Sequence, residues 1–106
     1  MFINIKTKTI YYFNSTGEKC PDRIMKLVDE IVRQGAAMTP PIDFKFDSNY
    51  PNEHQMNTYS CGMYSLFFII HMLEDKITGE YLKTHKLKDS YIETFRTKYF
   101  NSPDMM

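Results

Sequence analysis

Cys61 stands where a polar stretch gives way to a strongly apolar one. A cysteine at the start of a helix meets unpaired backbone N–H groups with partial positive charge, which favour thiolate over thiol. The thiolate is a nucleophile. Gly62, next in the chain, leaves room for a substrate backbone to come close. Gln55 lies six residues upstream in the same polar stretch. Its side-chain amide can donate to the oxyanion that forms when a thiolate attacks a carbonyl, with the backbone N–H of Cys61 as second donor. A buried cysteine that only packs is the ordinary alternative. The second cysteine, Cys20, precedes Pro21 with no such amide before it, and packing is its expected role.

The elements that must hold these residues follow from pattern. Phe2 to Ile5 and Ile10 to Phe13 read as short strands joined by a turn at Lys6 to Thr9. Asn14-Ser15-Thr16-Gly17 ends the second strand. Pro21 suits the first position of a helix, and Ile24, Leu27, Val28, Ile31 and Val32 form its apolar stripe. Gly35 is placed to end it. Ile42, Phe44 and Phe46 alternate with charged residues as in a half-buried strand. Ser48 to Tyr59, with Pro51 and three asparagines, reads as a loop. Gly62 to Glu74 is apolar on every side, so a central buried helix is expected there. A last helix runs from Asp89, as N-cap, to Phe100, with Ile92, Phe95 and Tyr99 facing inward.

These elements make an α+β domain: a short sheet packed on a central helix with two flanking helices. The 106 residues make one domain the default, and residues 1–106 are read as one unit. Its sheet is thin and the chain begins almost inside a strand, so it reads as part of something larger. Hydrophobic residues at 42% and aromatics at 15% mark a globular chain. Thirteen basic and thirteen acidic residues cancel without any block of one sign, which gives no reason to expect nucleic acid or an anionic membrane as partner. The two cysteines lack metal-ligand spacing, and neither metal nor cofactor is expected. No signal peptide opens the chain, and the apolar run from Met63 to Leu73 is too short to span a bilayer. An intracellular setting, cytoplasm or nucleus, is therefore expected, with both thiols free.

The string Gln55-Met56-Asn57-Thr58-Tyr59-Ser60-Cys61-Gly62-Met63-Tyr64 resembles the Gln-x-Asn-x-x-Asp-Cys-Gly-x-Tyr stretch of the SUMO-protease and adenovirus-protease clan of papain-related cysteine proteases. Ile10 to Ser15 resembles that family's strand ending in Tyr-Phe-Asp-Ser, and residues 89–96 resemble its closing helix. The resemblance implies a partial papain-like fold, the C-terminal portion of the catalytic domain. It implies Cys61 as nucleophile, Gln55 as oxyanion-hole donor and Asn14 as the residue that orients a catalytic imidazole. Asn14 stands where Asp is usual, as it does in papain-like enzymes and some large-DNA-virus relatives. Ser60 replaces the usual Asp before the nucleophile. The implied partner is a protein substrate, a ubiquitin-like protein or a viral polyprotein.

The implied histidine comes from a His-Trp pair at the head of the strand that residues 1–5 complete, a place that falls before Met1; the chain has no tryptophan. Three histidines are present. His71 lies ten residues beyond Cys61 on one helix, roughly 15 Å away at about 1.5 Å per residue, too far to pair with the thiol. His54 neighbours Gln55, but adjacent side chains tend to point apart. His85 sits in a charged connector. A cysteine-type peptidase whose 106 residues are inactive alone is therefore expected, with a non-catalytic protein-binding module derived from such a protease as the alternative.

Overall fold

The computed structural model describes residues 1–100. Strands β1 (Phe2–Asn4) and β2 (Thr9–Tyr12) form an antiparallel hairpin that pairs Phe2 with Tyr11. Strand β3 (Lys45–Ser48) lies parallel to β2 on its other side, pairing Ile10 with Phe46. Parallel neighbours need a crossover, and helix α1 (Asp22–Ala36) supplies it. Helices α2 (Cys61–Leu73), α3 (Gly79–Thr84) and α4 (Asp89–Phe100) follow.

The period-two alternation of β2 divides the interior. Ile10 is fully buried against Val28 of α1 and Phe44. Its neighbour Tyr11 points to the opposite face and joins Phe67 and Phe68 of α2, Leu82 of α3 and Ile92 of α4. Phe13 continues that face, with its ring stacked 5.0 Å from Phe68. The sheet thus has α1 on one side and α2 on the other.

Several boundaries differ from the sequence reading for clear reasons. Pro21 is the N-cap of α1, extended at ψ 151°, one place before the expected first helical position. Gly35 does not end α1 but sits inside it: a Cβ there would lie 2.7 Å from the ring of Phe44, so glycine lets the helix approach the segment leading into β3. Asp89 is the first helical residue of α4 rather than its N-cap, and its carboxylate reaches across to the 56–57 backbone. Helix α3 was unforeseen. It has six residues, too few for a periodic stripe, and its signal is Thr78, whose Oγ1 accepts from the Tyr81 N–H at 3.1 Å.

Helix α2 is buried on one face only. Met63, Tyr64, Phe67 and Phe68 are covered, whereas Ile69 and Leu73 remain 42% and 67% exposed. The expectation of a helix buried all round holds for the side against the sheet and α4. Among the described residues nothing covers the remaining side.

Candidate active site at the start of helix α2

The loop before α2 is a hydrogen-bonded frame built by its three asparagines. Asn49 is fully buried and clamps Asn14 from both directions: its Oδ1 accepts from the Asn14 N–H at 2.8 Å, and its Nδ2 donates to the Asn14 carbonyl at 2.7 Å. Asn52 Nδ2 donates to the carbonyls of Leu82 and His85, both at 2.8 Å, tying the loop to α3. Asn57 Oδ1 accepts from the N–H groups of Tyr59 and Ser60, while its Nδ2 donates to Ser60 Oγ at 2.9 Å. A polar loop with many asparagines is the sequence signal for such a frame, because Asn carries donor and acceptor on one short side chain.

The three candidate residues hang on this frame in sequence. Asn14 leads into Ser15, whose carbonyl accepts from the N–H groups of His54 and Gln55 at 2.8 and 2.7 Å. Ser15 Oγ donates to Gln55 Oε1 at 2.6 Å. Gln55 Nε2 donates onward to the Asn57 carbonyl at 2.8 Å. Asn57 then holds Ser60, the residue before Cys61. Gln55 is buried and both ends of its amide are engaged, so it is rigidly placed; its Nε2 also donates to Asn57 Oδ1 at 3.3 Å, the longer contact and the one that would have to yield to an oxyanion. Asn14 Oδ1 accepts from the Thr16 backbone and hydroxyl at 2.9 and 2.6 Å. It would have to release Thr16 Oγ1 to take a bond from an imidazole. Gly17, at φ +76°, closes this turn against residues 52 and 53: a Cβ there would meet Glu53 N at 2.8 Å.

Cys61 is exposed at the first position of α2. No side chain caps the helix start, because the Ser60 hydroxyl donates instead to Glu93 Oε2 at 2.8 Å. The charged first turn is thereby left open beside the thiol. A Cβ on Gly62 would meet nothing within 4 Å, so the approach to the backbone is clear. Hydrogen bonds from Arg96 and Ser60 hold the Glu93 carboxyl below the usual carboxylate range. A carboxylate thus still stands behind the nucleophile, one hydroxyl removed from the place where the family has Asp.

Asp89 was missed as a site-building residue. Its carboxylate accepts from Met56 N–H at 3.0 Å and Asn57 N–H at 2.8 Å, and lies 2.8 Å from the Tyr64 hydroxyl. It thereby pins the Gln55–Asn57 segment to α4 and α2. Burial, reinforced by Asp89, pushes the Tyr64 phenol up and keeps it neutral. Sequence pattern had assigned Asp89 to a helix cap, which a tertiary contact overrode.

None of the three histidines lies free beside Cys61. His54 is fully buried, with Nδ1 accepting from Leu87 N–H at 2.8 Å and Nε2 donating to the Leu82 carbonyl at 2.9 Å. Burial lowers its pKa, which keeps it neutral. His71 binds the Phe67 carbonyl one turn back through Nδ1 at 3.0 Å. His85 stacks on Tyr81 with centroids 4.2 Å apart. Cys20 is buried, and burial pushes its thiol pKa up.

Comparison with known proteins decides the family. The profile of the Ulp1 protease family, C-terminal catalytic domain, matches residues 1–104. The chain belongs to the Ulp1 protease family. Its fold is similar to a crystal structure of ASFV pS273R protease, at TM-score 0.76 and 26% identity over 84% of this chain. A selenomethionine crystal structure of the same protease gives TM-score 0.75 and 27% identity over 84%. The chain spans 32% of the length of those proteins. No curated protein sequence matches it. The partial α+β protease fold expected from the motifs is thus observed, with the short helix α3 added.

Proposed function

We propose that this chain carries the nucleophile and oxyanion donors of a cysteine-type peptidase acting on a protein substrate. The observation that carries the reading is the exposed thiol of Cys61 at an uncapped helix start, on one hydrogen-bonded frame with Gln55 and Asn14. In the reaction, Sγ of Cys61 as thiolate attacks the scissile carbonyl carbon. The resulting oxyanion takes hydrogen bonds from the first-turn backbone of α2 and from the Gln55 amide once it gives up its longer contact to Asn57 Oδ1. Collapse expels the amine, which takes up a proton, and leaves a thioester that water hydrolyses to release acid and thiol.

The proton transfers need an imidazole. His54, His71 and His85 are engaged or distant, so the reading assigns the base to polypeptide other than residues 1–100. Asn14 would orient it by a hydrogen bond, after releasing Thr16. Favoured substrates are ubiquitin-like proteins or viral polyproteins cut after a small-residue motif, in a reducing intracellular setting.

The engagement of every histidine also favours a second reading, in which the 106 residues bind a protein tail without cutting it. An electrophile at the C-terminus of a ubiquitin-like protein separates the two. The peptidase reading expects covalent capture at Cys61 when a histidine-bearing partner segment is supplied, and none with Cys61→Ala. Tight reversible binding without capture in either case would leave the binding module standing.

A further inference from the structure

A cleft lies away from Cys61, toward the other end of α2. It holds about 560 Å³ and runs between α2, the segment from Asp75 to Thr78, and the start of α4. Its floor is apolar: Phe67 and Leu87 are both nearly inaccessible. The His71 ring stacks on Phe67 with centroids 3.7 Å apart, and the Phe95 ring meets it edge-on. The rim is of different chemistry. Tyr81 and Tyr91 stand 42% and 48% exposed beside this covered apolar surface.

Lys86 and Lys88 flank the floor residue Leu87 and both are exposed. Neither enters an ion pair among the described residues; the Lys86 ammonium rests 3.0 Å from the sulfur of Met56. Lys76, also on the wall, is paired with Glu74 at 3.4 Å. Asp75 is the one acidic lining residue.

We propose that this cleft is a second binding site, distinct from the Cys61 centre, for an acidic peptide segment with one apolar anchor. The anchor side chain lies on Phe67 and Leu87, and carboxylates on either side meet Lys86 and Lys88. Exposed tyrosines around an apolar centre are the composition of a protein-binding patch, where rigid rings give contact area at little entropic cost. The volume accommodates one large side chain and its flanking backbone. The excess of positive charge excludes basic segments and gives the association a salt dependence. Because the cleft shares no residue with the Cys61 frame, it stands or falls independently of the peptidase reading.

Peptide display tests it without presupposing a partner. A random peptide library is selected against the 106-residue chain and against the doubly reversed Lys86→Glu, Lys88→Glu variant. The expected result is enrichment of peptides with Asp or Glu flanking an aromatic or long aliphatic residue. Their affinity should fall at least about tenfold in the variant and also fall with added salt, and be unchanged by Cys61→Ala. Backbone amide shift mapping on the wild-type complex keeps the test independent of how the variant folds, with changes expected at residues 76–78 and 86–91. No enrichment, enrichment of basic or neutral peptides, equal binding to a folded variant, or shifts centred on residues 55–62 would each overturn the proposal.

Discussion

Cys20 and Cys61 each stand at a helix start, the first one residue before the N-cap of α1, the second at the first position of α2. Neither helix has a side-chain cap, so both starts leave backbone N–H groups open, although α1 carries Asp22 in its first turn and α2 has no acidic residue there. The surroundings differ further. Cys20 is 8% exposed and burial raises its pKa, whereas Cys61 is open to solvent. The residue before Cys61 is held by Asn57 and Glu93, which fixes the direction in which the helix and its first side chain emerge. A helix terminus therefore does not make a nucleophile. Access does, together with a frame that sets the approach beside the thiol.

The strongest break in this comparison would come from thiol chemistry. In the folded protein, iodoacetamide should modify Cys61 at least about 100-fold faster than Cys20, the factor given by a local opening cost of about 2.7 kcal/mol. Peptide mapping after timed alkylation measures it, and the ratio should collapse in denaturant. Equal rates in the native state would erase the distinction. The pH profile sharpens it, since a raised pKa means that the Cys20 thiolate appears only at higher pH than that of an ordinary thiol.

Next in size is the frame itself. Asp89→Ala removes the acceptor for two backbone amides and one of the three acceptors around the Tyr64 hydroxyl, and should destabilise by about 2–3 kcal/mol in urea unfolding. Hydrogen exchange at Met56 and Asn57 should accelerate with it. Normal protection at those amides would show that Asp89 does not hold the segment.

Serine substitutions test the two thiols as packing groups. Cys20→Ser places a hydroxyl in a covered site and should cost about 1–2 kcal/mol, while Cys61→Ser should stay within about 0.5 kcal/mol. Comparable losses would mean that Cys61 packs as Cys20 does.

The smallest effect concerns Glu93. Its carboxyl pKa is lowered in the folded chain, so its contribution is present above the ordinary glutamate value and lost as pH falls through the folded value. Glu93→Gln should therefore lower Tm slightly near neutral pH, and the difference from wild type should vanish in acid. A difference that grows in acid would reverse the assignment.

Residue pattern alone made much of this molecule readable. The alternation in residues 10–13, the stripe of α1 and the Cys-Gly boundary before α2 all follow from periodicity, because side-chain direction is fixed by strand or helix geometry. Gln55 and Cys61 were legible as candidates because their chemistry and spacing lie within one short loop. The roles of Asn49 and Asp89 were not, since their partners are 35 and 32 to 33 residues away.

What the sequence determined by itself was the family and the placing of the thiol at a helix head. Only the tertiary structure decided that Gln55 is locked between Ser15 and Asn57, that His54 is consumed by Leu82 and Leu87, and that no described residue covers one face of α2. The physical reason is range. Periodicity and motif spacing record which way a side chain points from its own element, whereas hydrogen-bond partners and burial depend on which distant segment folds back against it.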